Sequence, residues 1–171
     1  MSSSLRLINE TTVSSTVSSV SVENVFSADF DIYMVHWGNA TSDVNSIDMQ
    51  LRYINSSGSV ISSSIYDQAW LRMRQSGFDQ NRIVGQNHIF TGQIAGAFGG
   101  SSTAYIFSPF KDNCYTWHQF EGAGFSGSED RAFKGVAVLK EISSLTGFQL
   151  NAGTDNITSA TIRTFGMRVD S

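Results

Sequence analysis

The stretch FSADFDIYMVHWGN, residues Phe26–Asn39, passes from polar–apolar alternation into a run of large side chains holding one imidazole, His36. A two-residue period sets Phe30, Ile32, Met34 and His36 on one face of a strand and Asp31, Tyr33, Val35 and Trp37 on the other. The first face is apolar as far as His36, and the second starts polar and becomes apolar. This pattern predicts a sheet strand covered on both sides at its far end and stopped by Gly38-Asn39. His36 is then expected as a hydrogen-bonded imidazole at a core edge or a subunit seam.

The same period recurs outward from this strand. Upstream, TTVSSTVSSVSVENVF is rich in β-branched residues, and Val20 and Val22 alternate with Ser19, Ser21 and Glu23. A flexible leader would carry more glycine and less valine, so an extended arm over residues 1–22 is expected, ordered by pairing with the domain or with a neighbouring subunit. Downstream, IDMQLRYINSSGSVISSSIY reads as a hairpin turning at NSSG, with Val60, Ile65 and Tyr66 on the returning strand. DQAWLRMRQSG fits helical and strand spacing alike; its shortness and Gly77 favour a strand. Two strands follow around GAFGGSS, the second ending near Pro109, the sole proline. In CYTWHQFEGAGFSG, Tyr115, Trp117 and Gln119 alternate with Thr116, His118 and Phe120. FKGVAVLKEI and two strands around NAGTDN complete the chain.

About eight to ten short strands separated by turn chemistry, with no long capped helix, predict an all-β, jelly-roll-like antiparallel sandwich. One domain over residues 23–171 would follow the arm. Composition agrees: 40% of the 171 residues are hydrophobic, enough for a core, while charged residues are only 15%, with five Glu and three Lys. Helical surfaces are usually written in such residues.

Several functions are disfavoured by the same count. The net charge is −4 and the basic residues are scattered, Arg72 and Arg74 being the tightest pair, so no nucleic-acid face is expected. Cys114 is a lone cysteine, read as a small buried hydrophobe, and no signal-peptide pattern opens the chain, which points to folding in a reducing cytoplasm. No apolar run approaches the ~20 residues needed to span a membrane. His36, His88 and His118 lack metal-site spacing, and no G-x-S-x-G elbow is present. The loop acids Glu129 and Asp130 read as solvated. No catalytic residue, cofactor or metal is therefore expected. Among the aromatics, Trp70 and Trp117, beside Arg72 and His118, are the candidate ligand or interface patch.

The order of motifs resembles a group of tailed-bacteriophage virion proteins of the marine and cyanophage type. Phe26, Asp29, Asp31 and Tyr33 match the first element, and Leu51, Arg52, Gly58 and Tyr66 the second. Ser108 and Pro109 match the third, and Ile157, Phe165, Gly166 and Met167 the last. Two positions depart: Phe165 stands for the usual Tyr, and Ala160 where Gly is common. The resemblance spans residues 8–168 and implies a non-enzymatic accessory subunit, serving as a capsid decoration, fibre or tail-attached piece. Such a subunit is assembled in the host cytoplasm, often as a homotrimer, with other virion proteins as partners. The tryptophans keep an alternative open, a carbohydrate-binding module that recognises a host surface glycan.

Overall fold

The computed structural model describes residues 5–167. Twelve strands are described among them. The first six are β1 (Leu5–Val13), β2 (Ser19–Val22), β3 (Ile32–Ser42), β4 (Ile47–Asn55), β5 (Tyr66–Arg74) and β6 (Gly77–Gln86). The others are β7 (Ile89–Ile94), β8 (Gly100–Phe107), β9 (Thr116–Phe125), β10 (Asp130–Leu139), β11 (Leu145–Asn151) and β12 (Ile157–Met167). A large sheet runs β1-β12-β3-β8-β9-β10-β5-β6, and a small one runs β2-β11-β4-β7. All pairings are antiparallel, and the two sheets pack as a sandwich. The winding is that of a jelly roll: β1 pairs β12, β2 pairs β11 and β5 pairs β10, so the two halves of the chain run side by side from the termini inward.

Residues 5–22 of the expected arm are ordered by pairing within the chain. β1 edges the large sheet against β12, β2 edges the small sheet against β11, and Val13 and Val22 are buried. Residues 1–4 of that arm and 168–171 of the domain lie outside the described residues.

The decisive stretch supplies β3, between β12 and β8. Its inward face is Tyr33, Val35 and Trp37, at 0%, 1% and 1% exposure, so the face that begins with Asp31 is the core face. Ile32, Met34 and His36 are half-buried on the other side. Two expectations need correction. Phe30 does not share the face of Ile32; it lies before the strand and packs edge-on against Tyr33, with ring centres 5.8 Å apart. Gly38-Asn39 does not end the strand either. The register slips between Trp37 and Ala40, Asn39 takes φ 51°, and β3 continues to Ser42. A local extra residue of this kind bends a strand without ending its ladder.

Phe30 also closes over Gly166 of β12, where a Cβ would come 2.5 Å from the ring. Gly166→Ala is expected to lower stability by about 1–3 kcal/mol, the usual cost of overpacking. The midpoint of urea unfolding reads this, and an unchanged midpoint would show that Phe30 swings away freely.

One expected hairpin is also corrected. NSSG does turn after β4, with Gly58 at φ 77° and its N–H donating to the Asn55 carbonyl at 3.0 Å. Val60 then makes only a single bridge to Ile54, and β5 joins the other sheet. Likewise the NAGTDN turn carries the chain from β11 in the small sheet to β12 in the large one. Turn residues dictate reversal of the backbone; which sheet receives the next strand depends on distant partners. DQAWLRMRQSG is strand, as expected. Cys114 is a correction too: it is half-exposed before β9.

The main core lies between the sheets, filled by Tyr33, Trp37, Met49, Leu51, Tyr53, Phe148 and Ile162 among others. A second cluster, Phe90, Ala104, Phe120 and Phe133 with Trp70 packed on it, sits where edge strand β7 meets the β9-β10-β5 part of the large sheet.

Candidate functional site

The large sheet has eight strands and the small one four, so the β10-β5-β6 end reaches past its partner. On β5 the inward face runs Tyr66 and Gln68, both buried, then Trp70, Arg72 and Arg74 as cover thins. Opposite them on β6 the register sets Asn81 against Trp70 and Asp79 against Arg72. The indole of Trp70 stacks on Phe90 with ring centres 4.8 Å apart, and Phe133 meets Phe90 edge-on at 5.1 Å.

These residues enclose a cleft of about 390 Å³, with Asp48 of β4 and Gln93 of β7 forming the wall on the small-sheet side. One polar network spans it. Arg72 donates from Nε and Nη2 to the Asp79 carboxylate at 2.9 and 2.7 Å, and Arg74 pairs with the same carboxylate at 2.9 Å. Arg74 and Arg131 both reach Glu129, at 3.5 and 3.2 Å. Arg131 Nη1 donates to Gln93 Oε1 at 3.0 Å, and Gln93 Nε2 donates to Asp48 Oδ1 at 2.6 Å. The hydrogen bonds from Arg72 hold the Asp79 carboxyl below its ordinary range, so the pair is charged at neutral pH. Fork-on-carboxylate pairing of this kind fixes both side chains.

The four residues singled out from the sequence do not form one patch. Trp70 and Arg72 both line the cleft. Trp117 is 51% exposed on the outward face of β9. His118, one residue on, faces inward and is fully buried, its Nδ1 sharing a 3.1 Å hydrogen bond with the Tyr53 hydroxyl. The correction follows from the pleat, since successive residues of a strand point to opposite faces. Burial pushes the His118 imidazole down to about 3, so it is neutral. His36 shares a 3.0 Å hydrogen bond with Thr103, and His88 one of 2.7 Å with Asn87. Among the described residues no three His, Cys, Asp or Glu side chains are grouped as a metal site, and no helix is long and apolar enough to cross a membrane.

Asp48, Asp79, Asn81, Gln93, Glu129 and Arg131 belong to the site or its network and escaped the sequence reading. Asp79 and Asn81 carry a faint signal, polar residues two apart on a strand beside Trp70. Asp48 and Gln93 carry none, because they arrive from the other sheet.

No family model and no curated protein matches the chain. Among solved structures it is similar to a mutant of the alginate lyase Aly36B in complex with alginate tetrasaccharide, at 9% identity and a TM-score of 0.39, covering 95% of this chain and 82% of that one. It is also similar to galectin-Ib of Xenopus laevis, at 9% identity and a TM-score of 0.30, covering 84% of this chain and 99% of that one. A Bacillus endospore appendage chain is similar at 7% identity and a TM-score of 0.27, covering 96% and 91%. So distant a likeness says nothing of this chain's activity or ligand.

Proposed function

We propose that the chain is a non-enzymatic accessory subunit of a tailed-bacteriophage virion, assembled in the host cytoplasm as a homo-oligomer, with a trimer favoured. The observation that carries this reading beyond the order of sequence motifs is the outward face of β9, β10, β5 and β6. Leu71, Met73, Val84, Trp117 and Val136 are 55%, 40%, 56%, 51% and 45% exposed there. Large exposed apolar patches mark interaction surfaces, whereas scattered single residues do not. A groove of about 710 Å³ runs across this face, floored by Ala69, Leu71 and Val136 and edged by Gln80, Gln119 and Lys134. Lys134 lies beside Glu121, and Lys140 pairs with Asp67, so both charge signs border the apolar surface and a second copy is not repelled.

Light scattering tests the assembly. The full chain is expected at about three times its 18.7 kDa mass, and Leu71→Glu with Val136→Glu is expected to give a folded monomer. Both positions are exposed, so folding should survive the change. Removing residues 1–22 is a poor probe, because it strips an edge strand from each sheet. Quantitative mass spectrometry of purified particles of the encoding phage tests the location. A chain that is monomeric at every concentration and missing from the particles would overturn the reading.

A further inference from the structure

We infer that the cleft lined by Trp70, Arg72, Asp79, Asn81, Asp48 and Gln93 is a binding site for a neutral pyranose sugar. Its volume of about 390 Å³ falls at the lower end of the roughly 300–1,000 Å³ of small-molecule sites. A pyranose has an apolar face of C–H bonds and an equatorial rim of hydroxyls, each both donor and acceptor. The cleft offers both complements. The partly exposed Trp70 ring, backed by Phe90 and Phe133 at 5% and 2% exposure, supplies an apolar side on which C–H groups can rest. Around that side stand polar atoms left over from the network. Arg72 uses Nε and Nη2 on Asp79, leaving Nη1; Asp48 uses Oδ1 on Gln93, leaving Oδ2. The Asn81 amide has no hydrogen-bond partner among the described residues. Together these present donors and acceptors on opposite walls.

Charge selects among sugars. Arg72, Arg74 and Arg131 are balanced by Asp79, Glu129 and Asp48, the first five bound into ion pairs and Asp48 held by Gln93. Among the described residues of the cleft and its network no cation is left uncompensated to receive a carboxylate or sulfate, so uronic, sialylated and sulfated glycans are disfavoured. The bidentate Arg72–Asp79 pair is rigid before any ligand arrives, which lowers the entropy lost on binding. The site lies on the inward side of β5, and Trp70 and Asn81 also border the outward groove.

The test is an array of immobilised neutral, uronic, sialylated and sulfated glycans, followed by solution titration with the methyl glycosides of the neutral hexoses retained. Neutral hexose glycans are expected to bind. Asn81→Ala is expected to weaken the solution affinity at least about tenfold, equivalent to about 1.4 kcal/mol, with an unchanged melting temperature because the side chain is exposed and holds nothing in place. Trp117→Ala, on the other face, is expected to bind as the parent does. Four results overturn the proposal: no neutral glycan bound at millimolar concentration, binding confined to acidic glycans, Asn81→Ala binding undiminished, or binding lost in Trp117→Ala. None of them touches the oligomer and particle measurements, so the two readings fail separately.

Discussion

Trp37→Ala is expected to lower folding stability by about 3–5 kcal/mol, a large part of the roughly 5–15 kcal/mol that holds a domain together. Trp37 is 1% exposed on β3, in the middle of the large sheet, and its Nε1 donates to Thr91 Oγ1 of β7 in the small sheet at 2.8 Å. Its ring also lies against Gly92, where a Cβ would meet Cζ2 at 2.9 Å. One indole thus joins the two layers at a place where the facing strand is cut to glycine to admit it. Truncation leaves a cavity and orphans the Thr91 hydroxyl, itself only 2% exposed. Guanidinium unfolding reads the effect as a lower midpoint at constant slope. Trp37→Phe keeps most of the volume but not the donor, and is expected to lose about 1–3 kcal/mol. A loss below about 1 kcal/mol for the alanine variant would show that the sheets close over the gap and that the indole is no bridge.

The second large effect is on acid stability. Burial pushes the His118 imidazole down to about 3 from its ordinary 6.5. The unfolded chain therefore binds a proton near pH 6.5 that the folded chain refuses until about pH 3. Stability is fully present above the unfolded value, falls as the pH drops through this window, and the loss is complete at the folded value. The slope from this one group reaches about 1.4 kcal/mol per pH unit. His118→Leu with Tyr53→Phe removes both ends of the shared hydrogen bond and should lose that slope with a small change at pH 7. His118→Leu alone leaves the Tyr53 hydroxyl buried without its partner and is expected to lose about 1–3 kcal/mol at pH 7. His36 and His88 are also lowered, first by burial and then by Arg163 and Arg52 respectively. They remain in both chains, so the difference between the parent and double-variant unfolding curves from pH 7 to 5 isolates His118. Parallel curves would mean that His118 accepts a proton in the folded state.

His118 and Trp117 show how far the linear pattern reaches. Their alternation with Thr116, Gln119 and Phe120 already places them on opposite faces, and the structure keeps that separation. The pleat keeps them from forming one patch. Trp70 and Arg72, two residues apart, do share a face and a cleft. The rest of that cleft was not legible from β5, because the groups opposite come from β6, β4 and β7. Asp48 shows no sign in its own strand that it meets Gln93, which lies 45 residues on. Glu129 looked like a solvated loop acid, yet it joins two arginines from different strands.

The amino-acid sequence by itself determined that the fold is built of strands and turns, that Tyr33, Val35 and Trp37 share a face, and that reversals fall at NSSG and NAGTDN. These are local properties, set by the two-residue period of the pleat and by the φ preferences of glycine and asparagine. Only the tertiary structure decided which face of β3 is buried, that β5 and β12 cross to the large sheet, and that the arm supplies an edge strand to each layer. It alone decided that the large sheet outreaches the small one to leave a cleft. Those outcomes depend on hydrogen bonding and burial between residues far apart in the chain, and a strand's own pattern is the same whichever neighbour it finds.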